Sequence, residues 1–294
     1  MQLTSYKAQF VASLLPVVDE AEAQSFFYLV AEHLHQLRRI DLALDPTFQL
    51  TEAQLQQWES IRLRLLTHEP IQYILGVTTF FDLPFAVNPN VLIPRPETEE
   101  LVSWLLESFA FNRKRTTNND QRTTDNRQQL LDIGTGSGCI AIALAKNLPS
   151  VEVSALDVSA KALETARLNA ERNGVQLQFI QKNILETKAL DQRYDVIVSN
   201  PPYVRELEKQ EIQANVLAYE PHLALFVADE DPLLFYRKIG ELAVESLTPT
   251  GALFVEINQY LGESTVQLFC EIGFTQVELR KDLYGNDRMI CARR

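Results

Sequence analysis

Two short stretches of this 294-residue chain place unusual residue types at the end of apolar runs. In LLDIGTGSGCIAIALA (130–145) an apolar run reaches Asp132, then Gly134, Gly136 and Gly138 alternate with Thr135 and Ser137, and helix-forming residues follow. In IVSNPPYVRE (197–206) an apolar run closes on Asn200, Pro201, Pro202 and Tyr203. Between the two, EVSALD (152–157) closes on Asp157, nineteen residues past Gly138.

Glycines between a strand and a helix let the backbone pass close to a ligand at the positive end of that helix. The spacing is G-x-G-x-G, not the G-x-G-x-x-G that dinucleotide folds wrap around a pyrophosphate, so a dinucleotide oxidoreductase is disfavoured. Asp132 also suits a phosphate poorly. An acid there fits a ligand with a positive charge, such as the amino group or sulfonium of S-adenosylmethionine. Asp157, at the next strand end, can accept hydrogen bonds from both hydroxyls of a ribose.

Asn200 ends a later strand, and in an open parallel sheet the ligand lies beyond the carboxyl ends of the strands. An amide NH2 is a poor nucleophile because its lone pair is delocalised into the carbonyl. Two acceptors, the Asn200 side-chain oxygen and the Pro201 carbonyl, can hold its two hydrogens and keep the nitrogen facing an electrophilic methyl group. Catalysis is then chiefly positioning. The prolines keep the acceptors rigid, and Tyr203 offers a planar face to a flat group. The product can lose its proton afterwards, so no general base is required before transfer.

The surrounding pattern must hold these residues in place. Residues 1–70 read as helices, with Phe26, Leu29, Val30 and Leu34 on one stripe and Leu55, Trp58, Ile61 and Leu65 on another. Thr51 and Gln54 form a capping box at the start of the second stripe. Residues 71–95 read as a hairpin connector, and Pro96 opens a helix. Residues 112–128, NRKRTTNNDQRTTDNRQ, contain no apolar residue and are expected to be a mobile loop. Within 96–294, strands at 129–133, 152–157, 177–181, 194–199, 252–256, 275–279 and 288–292 alternate with helices at 139–147, 159–173, 231–247 and 263–272. That alternation gives an α/β class with a mostly parallel, doubly covered sheet.

Composition narrows the function classes. The hydrophobic fraction of 46% and charged fraction of 22% are those of a globular protein. No apolar run reaches the ~20 residues of a membrane helix, and MQLTSYKAQF does not read as a signal peptide, so a cytoplasmic location is expected. Three scattered cysteines argue against a disulfide framework, and His33 and His35, two apart, do not make a metal site. The net charge of −12 divides into −8 for residues 1–110, +3 for 111–128 and −7 for 129–294. Extended nucleic-acid binding is therefore not expected.

With these residues in view, the chain resembles the S-adenosylmethionine-dependent methyltransferases that carry Asn-Pro-Pro-Tyr, and among them the bacterial release-factor glutamine methyltransferases (the HemK/PrmC family). The likeness spans nearly the whole chain, and VLIPRPETEELV (91–102), AYEPHLALF (218–226), GALFVEI (251–257) and GFTQVELRKDLYGNDR (273–288) carry it. The resemblance implies a Rossmann-like seven-stranded catalytic domain whose last strand is antiparallel, preceded by a small helical domain. It implies that Gly134 to Gly138 and Asp157 bind S-adenosylmethionine, which leaves as S-adenosylhomocysteine. Asn183 and Ile184 would border the adenine, and Asn200 to Tyr203 would hold a glutamine. The implied partner is a peptide chain release factor, methylated in its Gly-Gly-Gln loop, and the enzyme is expected to be a monomer. Asn183 and Ile184 replace a more usual acid and bulkier residue, and EINQ replaces the common Glu-Ile-Gly.

The same tetrapeptide would serve an adenine N6-methyltransferase, which must grip a phosphate backbone and extrude its base. The acidic halves oppose that. A glutamine methyltransferase of a ribosomal protein shares the chemistry; the hairpin motif and helical segment favour the release factor. A catalytically silent binding module would not need the intact Asn200 and glycines.

Overall fold

Residues 1–115 and 127–294 are described by a computed structural model, without the side chains of 110–115. They divide into two units, Met1–Gly76 with Gln213–Tyr219, and Val77–Ile212 with Glu220–Arg294.

The first unit is helical: α1 (Leu3–Leu14), α2 (Glu20–His35), α3 (Arg39–Leu44), α4 (Glu52–Leu65), α5 (Ile71–Leu75) and, later in the chain, α9 (Ala214–Tyr219). Aromatic side chains fill its centre, with Trp58 edge-on to Tyr6 and Phe10 at centroid separations of 5.7 and 5.3 Å. On α4 the expected stripe holds, and Thr51 and Gln54 close the capping box. On α2 the buried stripe is Ala23, Phe27, Val30 and Ala31, one residue round from the expected face, and Leu29 is exposed. The small Ala23 and Ala31 leave room for Phe27 to reach Trp58 at 5.1 Å. The Tyr219 hydroxyl donates to the Thr67 carbonyl at 2.9 Å, which ties α9 to this unit.

The second unit begins with a hairpin, β1 (Val77–Phe80) and β2 (Leu83–Ala86), whose two turn residues, Phe81 and Asp82, both have positive φ, as a tight hairpin turn requires. Helix α6 starts at Pro96 and runs to Arg115, into the segment expected as loop. Arg and Lys are good helix formers, so the helix continues through 113–115. Residues 116–126 of the expected loop lie outside the described residues.

Then follow β3 (Gln128–Ile133), α7 (Cys139–Asn147), β4 (Val151–Asp157), α8 (Ala160–Asn173), β5 (Gln178–Gln181) and β6 (Tyr194–Ser199). A short parallel pair, β7 (Val204–Arg205) with β8 (Phe226–Val227), flanks α10 (His222–Leu225). The chain closes with α11 (Leu234–Ser246), β9 (Leu247–Glu256), α12 (Gly262–Ile272), β10 (Gln276–Lys281) and β11 (Asp287–Arg293). The seven-stranded sheet has the order β10-β11-β9-β6-β3-β4-β5, with β11 antiparallel to both neighbours and the five strands from β9 to β5 parallel. Successive strand residues point to opposite faces. Val196, Val198 and Phe254 join α6 and α7 on one side, and Ile197, Leu253 and Val255 join α11 and α12 on the other. Burial on both faces explains why the strands read as unbroken apolar runs.

Candidate active site

Strand order brings the two chemical stretches together. β6 lies beside β3, with Ser199 opposite Ile133, and the Ser199 hydroxyl donates to the Ile133 carbonyl at 2.7 Å. The next residue on each strand is therefore Asn200 and Gly134. A methyl group built on Gly134, at φ +75°, would lie 4.0 Å from the Asn200 carbonyl oxygen. Glycine turn and tetrapeptide thus adjoin at the carboxyl end of the sheet.

Four backbone amides of the turn are committed internally. Gly134 and Thr135 both donate to the Leu156 carbonyl, at 2.8 and 3.0 Å, and Gly138 donates to Thr135 at 2.8 Å. Gly136 donates to the Asp157 carboxylate at 2.8 Å. A phosphate cradle needs those N–H groups pointing outward, so this turn is not one. Gly138 turns its Cα to the protein: a Cβ there would meet Ile142 and Ala166 at 3.0 and 3.1 Å. Its role is the close approach of α7 to α8.

Thr135 and Ser137 are buried, and neither side chain faces solvent. The Thr135 hydroxyl donates to Asp132 at 2.6 Å, and the Ser137 carbonyl accepts from Asn169 at 2.9 Å. Asp132 lies beneath the turn, fully buried, with the Ala141 N–H donating to the same carboxylate oxygen at 3.3 Å. Its other oxygen is buried without a protein partner. Burial pushes its carboxyl up to about 7, against the hydrogen bonds from Thr135 and Ala141. A cationic group near the turn would satisfy that oxygen and restore the charge, so the donor set fits an aminoacyl sulfonium. Asp157 ends β4 with Gly136 and Ser159 N–H groups on its two oxygens, and burial raises its carboxyl above the ordinary range.

Asn183 and Ile184 follow β5. The Asn183 side chain caps the short helical turn Ile184–Glu186 by accepting from Leu185 N–H at 3.1 Å. Ile184 is buried in the core beneath α11.

The tetrapeptide is held by residues that sequence reasoning missed. Asn200 Nδ2 donates to the Thr98 hydroxyl at 3.0 Å, Thr98 donates to Glu256 at 2.6 Å, and the Tyr203 hydroxyl donates to the other Glu256 oxygen at 2.9 Å. Burial drives Glu256 up, and Thr98, Tyr203 and the Arg288 charge oppose the shift. Asn258, in the unusual EINQ, donates to the Tyr203 carbonyl at 3.0 Å and to the buried Glu208 at 2.8 Å. Asn169 pins the end of β2: its carbonyl oxygen accepts from Ala86 N–H at 2.6 Å and its Nδ2 donates to the Ala86 carbonyl at 3.0 Å. Two signals could have exposed these residues. Glu256 is a third acid at the end of an apolar strand, and Asn169 falls on the alanine stripe of α8.

Among the described residues no group of three or more His, Cys, Asp or Glu side chains is placed to hold a metal ion, and no helix is long and apolar enough to cross a membrane.

Two family models match the chain, the PrmC N-terminal domain over residues 8–76 and the methyltransferase small domain over 119–223. A release factor glutamine methyltransferase of Flavobacterium psychrophilum is 56% identical, covering 99% of this chain and 98% of its own. Proteins of the same name from Bacteroides thetaiotaomicron and Streptococcus pneumoniae are 41% and 39% identical, covering 100% and 99% of this chain and 99% and 98% of their own. Among solved structures, the hMettl16 catalytic domain in complex with an RNA hairpin has a TM-score of 0.55 at 14% identity, covering 83% of this chain and 82% of that one, and it shares the fold. Near-complete coverage at these identities, joined to a glycine turn over two acids and an Asn-Pro-Pro-Tyr at the adjoining strand end, places the chain in the release factor glutamine methyltransferase family.

Proposed function

We propose that this chain transfers a methyl group from S-adenosylmethionine to the side-chain amide nitrogen of the glutamine in the Gly-Gly-Gln motif of a peptide chain release factor. The observation that carries the reading is Asn200, held at the end of β6 beside a glycine turn whose amides are turned inward over two acids. When bound, S-adenosylmethionine supplies an electrophilic methyl group. Gly134 and Gly136 give it backbone clearance, Asp132 faces its cationic end with Thr135 as brace, and Asp157 takes the ribose hydroxyls. Ser137 and Gly138 fix the turn against α8, and Asn183 and Ile184 border the adenine. The Asn200 side-chain oxygen and the Pro201 carbonyl accept the two amide hydrogens of the substrate, while Pro202 and Tyr203 keep that pair rigid. The proton left on the product nitrogen departs to solvent.

A release factor is large, and one side chain in a slot cannot recognise it. The helical residues 1–70 carry no chemistry of their own, so their proposed role is to dock the release factor, with 71–95, which begins as α5 and carries the β1–β2 hairpin, as connector and 96–294 as the catalytic domain. The balance of acid over base supports a protein partner over extended nucleic acid. The proposed enzyme works as a monomer in the cytoplasm.

The test is mass spectrometry of an intact release factor incubated with the chain and S-adenosylmethionine. One methyl group should appear on the Gly-Gly-Gln peptide. Asn200→Ala should nearly abolish single-turnover transfer while calorimetric cofactor affinity stays within a few-fold. No methylation by a chain that binds the cofactor would overturn the reading. A chain lacking residues 1–70 should keep its cofactor affinity and lose kcat/KM for the intact factor; equal kcat/KM would sink the docking role.

A further inference from the structure

An asparagine amide has two ends that differ in everything but shape. The oxygen accepts, the NH2 donates, and a half-turn about the last bond exchanges them. The proposed chemistry needs the oxygen toward the substrate, because a substrate NH2 meeting an Asn200 NH2 would set donor against donor. Pro201 and Pro202 fix the backbone and do not fix that rotation.

The hydrogen-bond chain behind Asn200 does. Glu256 is buried, and its two oxygens receive the Thr98 hydroxyl at 2.6 Å and the Tyr203 hydroxyl at 2.9 Å. Both Glu256 oxygens act as acceptors in this arrangement. The single Thr98 hydrogen is therefore spent on Glu256, and only lone pairs remain to face Asn200. Those lone pairs attract the Nδ2 end, found at 3.0 Å, and repel the oxygen. The polarity of the buried acid is transmitted through one hydroxyl to the reacting end of the tetrapeptide. Because Glu256 also holds Tyr203, one carboxylate sets both ends of Asn200–Tyr203.

We propose that Thr98 and Glu256 are positioning residues for methyl transfer: Glu256 directs the Thr98 hydroxyl, and Thr98 fixes which end of the Asn200 amide faces the substrate. The inference rests on Asn200 being the acceptor for the substrate amide. It gives VLIPRPETEELV a part in the reaction, since Thr98 sits in the first turn of α6 within it.

The experiment compares Thr98→Val, which keeps the shape and removes the hydroxyl, with Thr98→Ser, which keeps the hydroxyl. Single-turnover transfer to the intact release factor, calorimetric cofactor affinity and melting temperature are measured for each. Thr98→Val should lower the transfer rate about tenfold to a hundredfold, the scale of a small misplacement at a reacting centre. Cofactor affinity should stay within about threefold, and Thr98→Ser should restore most of the rate. A readout independent of turnover is hydrogen exchange at the Asn200 side-chain amide, assigned by its absence in Asn200→Ala. It should be slow in wild type and Thr98→Ser and fast in Thr98→Val. If Thr98→Val does not fold, Glu256→Gln replaces it: a side chain that both donates and accepts removes the one-way constraint, and the rate should fall at unchanged cofactor affinity. A Thr98→Val rate within threefold of wild type, equal losses in Val and Ser, or a folded Glu256→Gln at the wild-type rate would each overturn the proposal. Full activity in Asn200→Ala would instead overturn the acceptor reading beneath it.

Discussion

The Asp157 carboxylate accepts the Gly136 N–H at 2.8 Å, joining the end of β4 to the middle of the glycine turn. One acid therefore shapes the turn, and it is the residue proposed to take the ribose hydroxyls. Asp157→Ala should weaken S-adenosylmethionine binding by about 1.5–3 kcal/mol, the range for hydrogen bonds to a charged group. Calorimetry with cofactor and product settles it, and unchanged affinity would remove Asp157 from the site.

Asp132 gives a pH dependence. Its carboxyl is pushed up to about 7 by burial, above its value in the unfolded chain, so the folded state holds the proton more tightly. The stability it contributes is full below the unfolded value, about 3.9, and is lost as pH rises through about 7. Asp132→Asn should flatten that decline and raise the melting temperature at pH 8 relative to wild type. It should also weaken cofactor binding at pH 8, where the wild-type charge is present. A parallel pair of stability curves would show that Asp132 is not the titrating group.

Gly138→Ala tests the turn from its protein side. The position has φ +82°, and an added Cβ would meet Ala166 at 3.1 Å. Left-handed strain and overpacking together should cost about 2–4 kcal/mol, read from the denaturant midpoint. Gly136→Ala, with nothing within 4 Å of its Cβ, should cost only the strain, about 1–2 kcal/mol. Equal losses at both positions would deny Gly138 its packing role.

In the helical unit, Trp58 Nε1 donates to His35 Nε2 at 2.9 Å, which requires a neutral imidazole, and burial lowers the His35 pKa. The unfolded chain takes up the proton first as pH falls. Stability from this pair is full above the unfolded value of about 6.5 and is lost as pH drops from there through the lower folded value. Trp58 fluorescence during urea unfolding, in a Trp104→Phe background, should show the midpoint falling from pH 7 to pH 5. His35→Leu should remove most of that slope, and an unchanged slope would assign it elsewhere.

The glycine turn, the acids at 132 and 157, the cap at Thr51 and most strands of the sheet were legible in the sequence. Each is written in a few consecutive residues, where backbone conformation and burial periodicity leave a local mark. The phase of α2 was not legible, because neighbouring apolar residues offered two stripes and only the fit of Phe27 against Trp58 chose between them. Nor were the partners of the tetrapeptide. Asn200 meets Thr98 across 102 residues, Thr98 meets Glu256 across 158, and Ala86 meets Asn169 across 83. Such contacts follow from strand order, which sets β6 between β3 and β9 and so brings Asn200 beside both the glycine turn and the end of β9. The sequence by itself determined which groups are available for chemistry, since side-chain identity and local backbone are short-range properties. Only the tertiary structure decided which of them meet at the carboxyl end of the sheet, which brace the turn from beneath, and which way the Asn200 amide points, because a hydrogen bond depends on where its partner lies.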